Sequence, residues 1–428
     1  MDAWSECPLE SIAQTTSGGT PDRKRAEFYG GEIPWVKSGE LNDSYIFSTE
    51  ETLTPEGLKH SSAKLFPTGT LLMAMYGATV GKTAILKTDA ATNQAVCAIF
   101  PDQEKADADF LRYFLIGERQ ELLKQRYGGA QPNISQNVIR NFSVRRPPLP
   151  EQRKIAGVLG LVQLAMEQQE RLLTLTVELK KALLHKLFTE GLRGETQKQT
   201  KIGPVPESWD VVELISAVEQ IDYGISAPIP KAPPENGVKI VSTADITKDG
   251  RLLYEKIRRI VAPEKTVKRL TLQTGDVLFN WRNSAELIGK SAVFQERSER
   301  HVFASFILRI KCGEQKSHNF FLAHLMNYFR ETSVFLKLAR RAVNQANYNR
   351  NEISVLKIPL PTHQEQRDIA EAIAAVDAKI HHHRQKKAKL EDLFRTMLHQ
   401  LMTAQIRVHD LDLEGLLAQP VAEMDSKS

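Results

Sequence analysis

The stretch Gly77-Ala78-Thr79-Val80-Gly81-Lys82-Thr83 carries the glycines, lysine and hydroxyl of a phosphate-binding loop. Such a loop needs four residues between its glycines, so that backbone N–H groups wrap a phosphate within reach of the lysine. Here three residues separate them, and Tyr76 stands where the first glycine belongs. In the matching stretch Gly289-Lys290-Ser291, Ser284 stands there. The expected role is a turn between strands, its lysine available to a DNA phosphate. His381-His382-His383 suggests a metal site, but consecutive helical residues point about 100° apart and cannot chelate together. Cys7, Cys97 and Cys312 are odd in number and far apart, as free buried thiols are rather than disulfides or a zinc site. The chain has no His-Glu-x-x-His, and no (Asn, Asp or Ser)-Pro-Pro-(Tyr, Phe or Trp), the loop expected of an amino-methyltransferase; Ala232-Pro233-Pro234-Glu235 does not fit. No catalytic residue, no metal ligand and no bound cofactor are expected in this chain.

Other residues suit DNA. Arg, Lys, Asn and Gln side chains make bidentate contacts to guanine or adenine edges, and cations anchor phosphates. In the first half the candidates are Arg23, Lys24, Arg25, Lys37, Ser38, Tyr76, Lys82, Gln131, Asn133 and Ser135. In the second they are Lys231, Ser242, Arg282, Asn283, Ser284, Lys290, Arg340, Arg341, Asn344 and Asn347, densest from 340 to 347. Charge supports the second half more clearly. Residues 1–150 carry 16 Lys and Arg against 18 Asp and Glu, whereas residues 205–362 carry 23 against 17. Charge alone leaves the first half undecided.

An internal repeat shows what positions these residues. Pro148-Leu149-Pro150-Glu151-Gln152-Arg153-Lys154-Ile155-Ala156 returns as Pro359-Leu360-Pro361, then Glu365-Gln366-Arg367-Asp368-Ile369-Ala370. Across 151–189 against 365–403, 11 of 39 positions are identical without a gap. Looser matches precede these: Ser38-Gly39-Glu40-Leu41 with Thr243-Ala244-Asp245-Ile246, Gly81-Lys82-Thr83-Ala84 with Gly289-Lys290-Ser291-Ala292, and Gln131-Pro132-Asn133 with Gln345-Ala346-Asn347. The reading is an α+β chain of two mixed α/β domains, 1–147 and 207–358, each followed by a long helix, 148–190 and 359–410. A polar connector fills 191–206, and a loosely ordered tail fills 411–428. Thr362 and Glu365 fit a capping box at the second helix start. Apolar residues recur at steps of four and three: Ile155, Leu159, Val162 and Met166, then Ile369, Ile373, Val376 and Ile380. Further along run Leu179, Leu183 and Leu187, and Leu390, Phe394, Met397 and Leu401. This is a coiled-coil seam, with Gln169 and His383 as polar residues at the rod centres and antiparallel pairing expected. A helix over 151–188 is about 57 Å long, more than a turn of DNA at about 34 Å.

In order and duplication these motifs, with Gly18-Gly19-Thr20-Pro21 and Ile202-Gly203-Pro204-Val205-Pro206-Glu207-Ser208-Trp209, resemble type I restriction-modification specificity subunits. The resemblance reaches to about residue 410. It implies two target-recognition domains, each reading one half of a split, asymmetric double-stranded DNA site. It also implies helices that set the gap and dock two methyltransferase subunits, which bind S-adenosylmethionine and methylate adenine. Restriction subunits, the motor-nucleases, then complete the cleaving complex. The alternatives are a coiled-coil scaffold binding only proteins and a nucleotide-dependent enzyme acting on DNA. With 41% hydrophobic and 25% charged residues, no apolar run of membrane-spanning length and no signal pattern at the N-terminus, a cytoplasmic protein is expected.

Overall fold

The protein is described from a computed structural model covering residues 4–125, 133–230, 232, 234, 236–295, 297–313, 315–338, 340–342 and 345–408. It divides into two compact units, one formed by residues up to Glu170 together with those from Gln385, the other by Arg171–Arg384.

In the first unit the central sheet runs Ala13–Ser17, Val96–Pro101, Leu71–Ala74, Thr83–Leu86, with Ser44–Ile46 added at one edge. The second unit repeats the first four positions as Val218–Tyr223, Ile307–Cys312, Val277–Asn280 and Ser291–Val293. The inner strands Leu71–Ala74 and Val277–Asn280 are buried throughout because both faces of each sheet are covered. Leu71, Met73, Ile85, Cys97 and Ile99 enter one core, while Leu72, Ala74, Ala84, Leu86 and Val96 enter another. In the second unit Val277, Phe279, Leu308 and Ile310 face one core, and Leu278, Ala292 and Ile307 the other. The two-residue period of a strand sends neighbours to opposite faces. A second small sheet holds a parallel pair in both units, Tyr29–Val36 beside Ala90–Thr92 and Val238–Val241 beside His301–Phe303.

An early strand pairs antiparallel with the last one in both units, Ser5–Pro8 with Ser143–Arg146 and Asp210–Glu213 with Lys357–Leu360. A short helix packs on each central sheet, α1 (Ala108–Gly117) and α3 (Asn319–Glu331), and a long one follows each last strand, α2 (Leu149–Glu190) and α4 (His363–Met402). Helix α2 begins two residues earlier than its prolines suggest, with Pro150 inside the first turn, where its missing N–H costs nothing. Thr362 caps α4 by accepting the Glu365 N–H at 3.3 Å, but the Glu365 carboxylate accepts from Leu192 N instead of reaching back.

The seam residues divide between the units. Ile155 and Leu159 lie in the first core with Leu398, Leu401 and Met402, while Val162 and Met166 are half-buried. Ile369 and Ile373 lie in the second core with Leu184, Leu187 and Phe188; Val376 is half-buried and Ile380 buried. Gln169 is buried and His383 half-buried. Leu179 departs from the expected seam, at 56% exposure; Leu172 and Leu175 on the same helix are exposed as well.

The connector is also not a plain linker. Gln197–Thr200 and Gly203–Pro206 form a hairpin, and Ile202, Val205 and Trp209 are buried in the second core. Apolar residues at 202, 205 and 209 outweigh the polar composition around them. The tail from 411 lies outside the described residues. Among the described residues, no helix is long and apolar enough to cross a membrane.

Candidate nucleic-acid interface

The loop read as a turn between strands closes a hairpin. Gly81 N–H donates to Ala74 O at 2.8 Å and Ala74 N–H to Lys82 O at 2.9 Å; Gly77 and Gly81 adopt positive φ. The second unit reproduces this bond for bond: Gly289 N–H donates to Asn280 O at 2.8 Å and Asn280 N–H to Lys290 O at 2.9 Å. Gly289 also has positive φ, which only glycine adopts without strain.

Beyond this hairpin strand the chain meets a later segment in the same way in both units. Ile134 N–H donates to Met75 O at 2.7 Å, and Tyr76 forms an antiparallel bridge with Asn133. In the second unit Tyr348 N–H donates to Trp281 O at 2.9 Å, and Arg282 pairs antiparallel with Asn347. Register then continues from Asn347 to Arg340 and from Ala346 to Arg341, making a three-stranded ribbon. The loose match of 131–133 with 345–347 is therefore a true structural equivalence at Asn133 and Asn347.

A further loop is shared. Lys37 N–H donates to the Glu40 carboxylate at 2.9 Å, and Ser242 N–H to the Asp245 carboxylate at 2.7 Å. This explains the acid common to Ser38-Gly39-Glu40-Leu41 and Thr243-Ala244-Asp245-Ile246. The loop is tied down differently in each unit: the Thr79 hydroxyl donates to Ser38 O, whereas the Lys290 ammonium donates to Thr243 O and Ile246 O.

Lys290 is thereby corrected. At 6% exposure, with its ammonium on two carbonyls and its pKa lowered by burial, it is a structural anchor and not a phosphate contact. Several other candidates already have partners. Arg23 pairs with Glu51 at 2.5 Å and lies over the Tyr29 and Trp35 rings; Lys37 pairs with Glu50 and Glu51. Arg25 pairs with Glu27 at 2.7 Å over the Phe28 ring. These acids account for part of the first half's negative balance. Ser135 caps the helix Gln136–Asn141, and Ser242 donates to Asp245. Lys24, Asn133, Arg282 and Ser284 are exposed; Lys82, Asn283 and Asn347 are half-buried. Gln131, Lys231 and Asn344 lie outside the described residues.

Two features escaped sequence reasoning. Phe306, 45% exposed, carries the Arg282 guanidinium 5.1 Å above its ring, and nothing in its sequence context marks it. The glutamine of the repeated Glu-Gln-Arg is the other. Gln152 Oε1 accepts Asp107 N–H at 2.9 Å, and its amide donates to Lys105 O and Pro147 O. Gln366 does the same with His318 N–H, Lys316 O and Pro361 O. Both are wholly buried, and each ties the start of a long helix to the start of the short helix of its domain. The repeat itself was the available signal.

Burial pushes the Cys97 thiol up to about 12 and the Cys312 thiol to about 11, far from a reactive thiolate. Among the described residues, no group of three His, Cys, Asp or Glu side chains is placed to hold a metal ion.

A family model described as type I restriction modification DNA specificity domain matches residues 1–173 and 206–392, one copy for each half of the repeat. The chain belongs to this specificity family. Its similarity to the MjaX specificity subunit of Methanocaldococcus jannaschii is 33% over 188 residues, covering 43% of each chain. With the MjaVIII specificity subunit of the same organism it is 26% over 313 residues, covering 71% of each. The chain thus spans under half the length of the first relative, at 43%, and more of the second, at 71%. Among solved structures, the type I S subunit of M. genitalium shares the fold at TM-score 0.59 and 12% identity, over 92% of this chain and 95% of that one. A chain from a study of complex assembly in the type I system matches at TM-score 0.57 and 18% identity, over 94% and 98%. The duplicated hairpin, acid-capped loop and glutamine tie are thus the frame of two specificity domains in one chain.

Proposed function

We propose that this chain is the DNA-reading subunit of a type I restriction-modification complex, each domain recognising one half of a split, asymmetric site. The observation that carries this is one hydrogen-bonded frame built twice with unlike side chains at equivalent positions, above all Tyr76 against Arg282. One scaffold with two sets of contacts suits two different half-sites; a scaffold binding a single repeated partner has no need of the difference.

Helices α2 and α4 act as an antiparallel coiled-coil spacer. Support comes from which ends meet inside each unit. The start of α2 packs with the end of α4 through Ile155, Leu159, Leu398 and Leu401, and Glu170 pairs with Lys387. The end of α2 packs with the start of α4 through Leu184, Leu187, Ile369 and Ile373, and Lys180 pairs with Asp377 at 2.6 Å. The exposed leucines Leu172, Leu175 and Leu179 recur on α2 at helical spacing and offer an apolar stripe for partner helices.

Methylation belongs to two docked methyltransferase subunits that carry S-adenosylmethionine, and cleavage to restriction subunits. This chain contributes sequence choice. Mapping methylated adenines in cells with and without it tests the reading: one split motif must vanish with the chain. Methylation unchanged by its removal would refute the reading.

A further inference from the structure

We infer that Arg282 and Asn347 are a base-reading pair for the second half-site, and that Tyr76 and Asn133 occupy the same place for the first. This rests on the DNA-reading function proposed above and assigns its specificity to named side chains.

The assignment follows from three observations. The first is position: Tyr76 with Asn133, and Arg282 with Asn347, are directly opposed antiparallel partners one step beyond the hairpin strand. Directly opposed partners project to the same side of a sheet, about 5 Å apart. That separation is comparable to the rise of about 3.4 Å between stacked base pairs, so the two side chains meet the same or neighbouring pairs. The major groove, about 12 Å wide, admits a two-stranded ribbon such as Arg282–Asn283 paired with Gln345–Asn347.

The second is chemistry. The arginine fork matches the O6 and N7 acceptors of guanine, and the asparagine amide, donor and acceptor together, matches N6 and N7 of adenine. Asparagine is common to both units, whereas the partner changes from tyrosine to arginine. The two half-sites should then share an adenine contact and differ beside it.

The third is preorganisation. Arg282 is exposed but lies over the Phe306 ring at 5.1 Å, and Trp281 beneath it is fixed by its Nε1–H donating to Ser305 O at 2.6 Å. The Trp281 ring stacks edge-on between Phe306 and Tyr223, whose hydroxyl accepts Arg350 N–H at 2.7 Å. In the first unit Tyr76 is half-buried and packs against the domain core. Stacking of this kind reduces the freedom that a long side chain loses on binding.

The test is adenine-methylation mapping with the complete complex carrying Arg282→Ala, Arg282→Gln, Asn347→Ala or Asn133→Ala. Arg282→Ala should relax one position of the second half-site by about 5- to 150-fold and leave the first half-site unchanged, the range set by loss of one bidentate contact. Arg282→Gln should move the preference at that position from guanine towards adenine. Asn347→Ala should relax the same or a neighbouring position, and Asn133→Ala one position of the first half-site only. Motifs identical to wild type, or changes spread over both halves, would overturn the assignment. Loss of all methylation in Asn347→Ala is separated from misfolding by the Arg282 variants, whose side chain is exposed. Failure of the underlying function is distinguishable, because the unmodified complex would then show no split motif.

Discussion

Gln152 and Gln366 are buried amides that each satisfy one N–H and two carbonyls at a junction between a domain and its long helix. Gln152→Leu keeps the volume and strands those groups. A buried polar group without a partner costs about 1–3 kcal/mol, so the variant should lose roughly 2–4 kcal/mol by denaturant unfolding. An unchanged midpoint would show that the amide is not what holds the junction. His324, on α3, behaves differently. The residue keeps some accessible surface, yet protein surrounds its ring, and burial, with Lys180 and His318 adding to it, pushes it down to about 3. The unfolded imidazole protonates near 6.5, so the unfolded chain binds the extra proton between these values. Stability from this group is full above pH 6.5 and falls as pH drops towards 3, by at most about 1.4 kcal/mol per pH unit. Urea unfolding at pH 7 and pH 5 should show the loss, and His324→Gln should flatten it. At this scale the sequence was only partly legible. Asn133 and Asn347 stood out through the repeat, but Lys82 and Lys290 looked equivalent there. What separates them is the carbonyl cage of Thr243 and Ile246 around Lys290, a contact across about forty residues that no local pattern encodes.

Long helices were the most readable elements, because period and length mark them directly: the steps of four and three identified both rods. The exposed Leu172, Leu175 and Leu179 satisfy the same periodicity as buried leucines, so spacing alone does not tell a seam from a face awaiting partners. The hairpin at Gln197–Pro206 was hidden for the opposite reason: three buried apolar residues act within a polar, proline-punctuated segment. If the rods set the spacing of the half-sites, seven residues added to α2 and seven opposite them in α4 should add about 10 Å and widen the gap in the methylated motif by roughly three base pairs. Both half-site sequences should be unchanged. A gap of the original length would show that the helices do not set it.

For the whole molecule, the proposed reading of two sequences rests on the duplication of one fold. Strand order, the acid-capped loop, the glycine hairpin and the glutamine tie all recur, while some side chains displayed on that frame differ, as Tyr76 and Arg282 do. Net charge says little at this scale, since the first half pairs Arg23, Arg25 and Lys37 with acids and the second is more basic overall. The most direct measurement is a methylation map after residues 1–147 are exchanged for the corresponding domain of a relative. The account predicts that one half of the motif changes while the other half and the gap stay as they were. A motif altered in both halves, or in neither, would contradict it.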